Sequence, residues 1–281
     1  MTSLSRSVGF TLVELLVALT LGMVLVAIGA RISQQAFFVE RAEGERAGLT
    51  ATLRTGAAYL VRELESVGAD SLAGGDLDST AAGLTLRAQR GLRISCRLAV
   101  DTVLVEADTA LDWSARAPAP GRDSLLLYSP GDSTAPIDAW VPLPLVAVRN
   151  DRCPSGAPAL ALATLLDSTT MARRRLPPRT AVRLFESIAI RAYAGALGWQ
   201  LGVEGLSAAA LIQPLAGPLA PSGLSFRGRD SAGSPIPLGP AAASLDLTLV
   251  GRTDRQLATG LGSRSTPSLD SVAVSALLRN R

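Results

Sequence analysis

From Phe10 the chain turns apolar and stays so for 21 residues, to Ala30, with Glu14 as its single charge. At about 1.5 Å per residue such a run spans roughly 30 Å as a helix, the thickness of a bilayer's hydrocarbon core. Beyond Arg31 the pattern becomes amphipathic. Ile32, Ala36 and Val39 are followed by Leu53, Ala57, Leu60, Leu64 and Val67. The last five step by four, three, four and three, which traces one face of a helix. Arg41, Glu45, Arg54, Arg62 and Glu65 fall mostly on other faces. No proline interrupts residues 1–117, and Gly44, Gly48 and Gly56 each weaken a helix locally by about 1 kcal/mol. The pattern predicts one helix over residues 10–67, roughly 87 Å long. Its transmembrane half is 10–30, and its amphipathic half carries a head domain along the apolar stripe. The glycines and polar residues of 43–48 leave open an anchor joined by a flexible linker to a separate helix.

After the helix the period changes. Residues 68–80 are rich in Gly, Asp and Ser and read as a loop. Short strand-like runs follow at 84–88, 92–98, 102–107, 124–128 and 139–148, the last broken by Pro142 and Pro144, which points to an edge strand or an irregular segment. Residues 159–166 fit strand or helix. Further strands are predicted at 180–185, 187–193, 197–203, 224–227, 244–251 and 271–278, with 214–221 as a loop. One long helix followed by many sequential strands implies an α+β fold with a mainly antiparallel sheet, the head occupying residues 68–281.

The residues around the start of the apolar run are specific. A short polar leader, residues 1–9, ends in Gly9; Phe10, Thr11, Leu12, Glu14, Leu15 and Leu16 follow. A secretory signal would place its cut after the apolar core. Here the small residue precedes it. This stretch resembles the N-terminus of type IV prepilins and of type II secretion pseudopilins. The resemblance implies a type IV pilin-like fold, cleavage by a prepilin peptidase between Gly9 and Phe10, and N-methylation of Phe10. The C-terminal run LGWQLGVEG, GLSFRGRDSAG, SLDLTLVGRTDR, VAVSALLRN is loosely similar to larger minor pilins of the PilW type and to the J-type minor pseudopilin.

Each residue of the junction has a physical reason. Gly9 lets an extended backbone enter a protease cleft closely. Cleavage frees an amine on Phe10, which a packed fibre brings beside a neighbouring helix. A carboxylate within a membrane span costs on the order of 2–3 kcal/mol, so Glu14 needs a role. Paired with that amine, it favours one axial stagger between subunits, as polar residues fix register in coiled coils. The plainer alternative is that Glu14 complements its own helix N-terminus.

Composition narrows the chemistry. There is no histidine among the 281 residues, which excludes His-based general base catalysis and imidazole zinc sites. All 27 basic residues are arginine, and the net charge of +3 is small. The arginines are scattered among acids, so DNA is not an expected partner. Cys96 and Cys153 are too few for a zinc cluster and too distant for a CxxC motif. Beyond the anchor the chain is expected in the periplasm or outside the cell, where disulfides persist. A Cys96–Cys153 bridge would stabilise by about 4 kcal/mol in the chain-entropy model; two buried free thiols are the alternative.

Other candidates carry less. GRDSL at 121–125 departs from a GDSL hydrolase start through Arg122, and no histidine can activate Ser124. Asp76 and Asp78 fit a calcium loop in spacing but are too few for a site. Arg173–Arg175 could meet a phosphate or an acidic partner, but read more simply as an exposed basic turn. Trp113, Trp140 and Trp199 read as packing aromatics. No metal and no cofactor is expected, and no enzyme activity.

The sequence thus reads as a minor pilin or pseudopilin. The resemblance implies as partners the peptidase, other major and minor pilins or pseudopilins through the N-terminal helix, the inner-membrane assembly platform, and membrane lipid before assembly. It implies a single-pass inner-membrane location with a periplasmic head, then a fibre that can reach the cell surface. The head is large, which by family habit implies a tip or priming subunit. Alternatives are a membrane-anchored periplasmic enzyme and a DNA-uptake pseudopilin.

Overall fold

A computed structural model describes residues 11–67, 77–80, 83–107, 116–130, 138–165, 176–177, 179–196, 198–207, 211–238, 242–253 and 267–278. One long N-terminal helix, α1 (Leu12–Glu65), is followed by antiparallel strands. No proline occurs in α1, and Gly44, Gly48 and Gly56 do not interrupt it. The chain divides into two compact units that part within α1, at Gly48 and Leu49.

In the first unit, the span from Leu12 to Ile28 exposes nearly all its large apolar side chains. The exposure continues past the membrane-length segment. Ile32, Phe37, Phe38 and Val39 are each more than half exposed, so among the described residues the early part of the expected stripe is not buried.

In the second unit, Leu49–Glu65 lies on a sheet. Leu49, Leu53, Ala57, Leu60, Leu64 and Val67 are buried, at steps of three and four. They pack with residues of β2 (Gly83–Leu98), β7 (Ala181–Gly195), β8 (Gly198–Gly205), β9 (Gln213–Arg229), β11 (Ser244–Arg252) and β12 (Leu269–Leu277). Two glycines set how close the layers come. A Cβ on Gly56 would lie 2.7 Å from the Cβ of Ala216, and one on Gly251 would lie 2.8 Å from Cδ1 of both Leu49 and Leu53. Gly56 thus exchanges local helix propensity for close packing on the sheet.

The remaining strands are β1 (Leu77–Thr80), β3 (Thr102–Glu106), β4 (Asp123–Ser129), β5 (Ala139–Arg152), β6 (Pro158–Thr164) and the two-residue β10 (Pro235–Ile236). The open sheet runs β1-β2-β7-β8-β9-β11-β12, with β10 on β9. A second feature is closed. β2 pairs with β3, β3 with β6, β6 with β5, β5 with β4, β4 with β7, and β7 with β2. These six strands form a ring. Its interior holds Val103, Val105, Leu125, Leu127, Val141, Leu143, Leu145, Leu162, Val182 and Leu184, with Leu98 partly buried against them. A ring this small is filled by its own side chains.

β2 and β7 belong to both structures. On β7, Val182 and Leu184 face the ring interior, and Ile188 and Ile190 face the helix. On β2 the buried face is carried by Leu84, Leu86 and Ala88, and then by Gly91, Arg93 and Ser95. The change of parity is made by a bulge between Gln89 and Gly91, in which Arg90 is the extra residue.

Several sequence expectations change. Residues 77–80 lie in the expected loop but pair with the start of β2. The expected runs 84–88 and 92–98 are one strand, as are 180–185 and 187–193. Of the expected run 159–166, residues 159–164 are strand, within β6. The expected loop 214–221 is part of β9; it pairs with β8 through two register shifts that absorb its prolines. Pro142 and Pro144 sit in an interior strand of the ring, yet β5 pairs with β4 only up to Pro144 and with β6 only from Leu145. Each proline therefore lies where β5 has one ladder, and both point to solvent, between the buried Val141, Leu143 and Leu145.

Candidate functional site

The N-terminal segment exposes a long run of apolar side chains. Gly9 and Phe10 lie outside the described residues. At Thr11 the helix begins with a reciprocal cap. The backbone N–H of Thr11 donates to Glu14 Oε2 at 3.0 Å, the Thr11 hydroxyl donates to the same oxygen at 3.0 Å, and the Glu14 N–H donates to Thr11 Oγ1 at 3.3 Å. This is the capping box of a Thr-x-x-Glu sequence. The Thr11-Leu-Val-Glu14 spacing carries this signal in the sequence itself. In the isolated chain the carboxylate thus serves its own helix end. A few residues on, the Thr20 hydroxyl donates to the carbonyl of Val17 at 2.9 Å, which hides its polarity within the helix.

Around this end the exposed apolar side chains form a continuous coat; Leu12 is 77% and Val26 72% exposed. The helix is long and apolar enough to cross a membrane. A coat of this size requires lipid or other protein as its surroundings.

Cys96 and Cys153 are joined as a disulfide, with Cα atoms 5.7 Å apart. Cys96 is the extra residue of a second bulge in β2, between Ser95 and Arg97, and Cys153 opens the β5–β6 turn. The bond ties β2 to the turn between β5 and β6, neither of which is its neighbour in the ring. Of the other sequence candidates, Asp76, Trp113 and Arg173–Arg175 lie outside the described residues, and for Asp78 only the backbone is described. Ser124 sits within β4, and Gly121 has φ of 73° in the preceding turn. Trp140 packs 5.4 Å from Tyr128, with the Arg183 guanidinium 5.5 Å from its ring. Trp199 is 43% exposed on β8. Among the described residues, no three His, Cys, Asp or Glu side chains group to hold a metal ion.

Among the described residues a buried cluster of charges joins the helix to the sheet. Asp123 on β4 lies directly opposite Glu186 on β7, and both are buried. Like charges so placed repel. Arg116 resolves this with a two-pronged contact to Asp123 at 2.6 and 2.7 Å and a further contact to Glu186 at 3.1 Å. Arg122 also bonds Glu186. Arg90 donates to Glu186 at 3.0 Å and to Glu63 of α1 at 2.9 Å. Three arginines and three carboxylates thus meet where the helix, β2, β4 and β7 converge. Nothing in their sequence spacing brings them together; the bulge and the strand crossing do.

Residues 6–30 match the family described as prokaryotic N-terminal methylation motif. No curated protein and no solved structure matches the chain. The motif, followed by one long apolar helix packed on a large antiparallel sheet, supports a type IV pilin-like protein that is a substrate of prepilin peptidase.

Proposed function

We propose that this chain is a minor pilin or pseudopilin, a structural subunit of a type IV pilus or type II secretion pseudopilus. The peptidase cuts between Gly9 and Phe10, and Phe10 is then methylated. Before assembly the subunit sits in the inner membrane with its head in the periplasm. The assembly platform then moves its helix from lipid into the fibre, against the helices of other pilins or pseudopilins. There Glu14 exchanges its local cap for the amine of a neighbouring subunit, which sets the stagger. The size of the head favours a tip or priming position.

The observation that carries this reading is the cleavage-type junction immediately before an apolar helix whose side chains remain exposed from Leu12 to Val39. The uncovered stretch beyond the membrane-length segment, with Phe37 and Phe38 in edge contact at 6.4 Å, favours helix partners as well as lipid. The disulfide fits an oxidising compartment.

Co-expression with a prepilin peptidase tests the reading. Intact mass should fall by residues 1–9 and gain one methyl group on an N-terminal Phe. An unshortened chain would reject it. Replacing Gly9 with a bulky residue should block the cut while membrane insertion persists.

A further inference from the structure

The open sheet has two unequal ends. β1 is a short edge of four residues. β12, at the other end, has nine, and its ladder with β11 shows no register shift, whereas the β9–β11 ladder beside it does. Among the described residues no strand pairs with the outer side of β12. Long edges are ordinarily guarded by charge, proline or a bulge. From Ser271 to Leu277 the sequence is SVAVSAL, with none of these.

The nearby carboxylates are occupied: on β11, Asp246 accepts from the Ser275 hydroxyl at 2.6 Å and from Arg229 at 2.5 Å. Asp270 accepts from the Thr50 hydroxyl and, at 2.8 Å, from the N–H of Ser271. That second bond fixes which way the backbone faces. The Ser271 amide meets its neighbour's side chain, while the Leu278 amide donates to the Ala243 carbonyl at 3.0 Å, on the β11 side. Alternation along the strand then turns the N–H and C=O of Ala273, Ser275 and Leu277 outward. We propose that this edge accepts, as an added antiparallel strand, an extended uncharged segment of a different protein chain. Val272 and Val274 lie partly buried at the margin of the helix-facing core. The incoming segment therefore carries apolar residues at alternate positions, to continue that margin, and small polar ones between them.

A second copy fits less well, although the strand reads almost alike in both directions about Ala273: Val272 mirrors Val274, Ser271 mirrors Ser275, and Leu269 mirrors Leu277. Antiparallel self-pairing has its two-fold axis perpendicular to the sheet. It would reverse one copy's Leu49–Glu65 helix against the other's, and two copies anchored by that helix in one membrane share a direction. This step rests on the proposed anchoring. A copy of the same direction would have to offer β1. Six antiparallel steps separate β1 from β12, so the two strands run the same way, and pairing would be parallel over the four residues of β1.

The test uses the full chain in detergent micelles and a blocked peptide with the sequence of residues 271–277. The peptide has no anchor and can pair antiparallel with its like. Amide exchange is read residue by residue. Alone, Ala273, Ser275 and Leu277 should exchange fast while Val272, Val274 and Ala276 are protected; the peptide should slow the first three by at least about tenfold. Ala273→Pro removes an outward N–H without touching the β11 ladder, so it should keep the circular dichroism and melting of the parent and lose the peptide effect. Slow exchange of the outward amides without peptide would mean the edge is already covered, and no slowing with peptide would mean it accepts no strand; either overturns the proposal. Self-association of the chain that Ala273→Pro abolishes would make a second copy the occupant and overturn it too. None of these readouts needs processing or fibre assembly, so their failure is distinct from failure of the proposed function.

Discussion

Glu63 on the helix and Glu186 on β7 are held by one guanidinium, that of Arg90, at 2.9 and 3.0 Å. Arg90 is the extra residue of the β2 bulge, so the same local irregularity that switches the buried face also supplies the link between helix and sheet. Removing one partner of a buried pair strands a charge and costs about 3–5 kcal/mol. Arg90→Ala and Glu186→Ala should each lower stability by that order, and the double variant by clearly less than the sum. Chemical denaturation of the chain in micelles measures it; additive losses would mean the two residues act independently.

The same cluster shapes the response to pH. Burial alone would raise the Glu186 pKa, but the guanidinium groups of Arg122 and Arg90 outweigh it and hold the carboxyl below its ordinary value. Its stabilisation is complete above the unfolded-chain value of about 4.3 and is lost as pH falls through the depressed folded value. Tyr59 behaves in the opposite sense. Burial and then Glu63 push its hydroxyl up to about 12. Its contribution is present below the unfolded-chain value of about 10 and is lost as pH rises towards the folded one. Melting temperature against pH should therefore fall at both ends. Glu186→Gln should flatten the acid limb and Tyr59→Phe the alkaline limb, and unchanged limbs would reject these assignments.

Cys96 and Cys153 close a loop with a sequence separation of 57. Reduction should lower stability by up to about 4 kcal/mol. Protein exported to the periplasm should migrate faster on non-reducing gels than after reduction. Labelling of both cysteines by a thiol reagent in the native, unreduced chain would contradict the bridge.

At Gly56 two effects compete. Alanine gains about 1 kcal/mol of helix propensity over glycine. Its Cβ would lie 2.7 Å from the Cβ of Ala216, in a layer with backbone behind it. Overpacking of this kind costs about 1–3 kcal/mol. Gly56→Ala should therefore be neutral to destabilising, and Gly56→Leu strongly destabilising. A stabilised alanine variant would show that the helix can lift from the sheet.

Thr11 separates the two roles of Glu14. Thr11→Ala removes the cap and should cost about 0.5–2 kcal/mol at the helix end. If Glu14 also sets stagger, Glu14→Ala and Glu14→Gln should lower fibre counts in cells while Thr11→Ala leaves them near normal, with cleavage and membrane levels checked alongside. Equal counts for all three would reduce Glu14 to a cap.

Legibility followed the range of the forces involved. The helix from Leu12 and its buried stripe from Leu53 to Val67 were readable because periodicity is local. Most strands were readable by alternation, but their joins were not. Gln89–Gly91 and Glu186 look like breaks because the chain places polar residues there, and only the crossing of four elements explains them. Pro214–Pro221 misled because proline signals a loop unless register shifts absorb it. The cap of Glu14 was readable from Thr11 three residues before it. The arginine–carboxylate cluster was not, since Glu63, Arg90, Arg116, Asp123 and Glu186 are spread over more than a hundred positions and are gathered by topology alone.

The sharing of β2 and β7 between ring and open sheet bears on how the head folds. Gly83 must find Arg191, and Ile94 must find Ala181, before either hydrophobic interior can be sealed. The intervening residues supply β3 to β6, whose hairpins can form early yet have no ring to close. Pairings so distant in sequence are slow, because the entropy of closing a long loop precedes any reward. The head should therefore acquire its two interiors in a single late step rather than one after the other, and until that step both apolar faces stay open to chaperones.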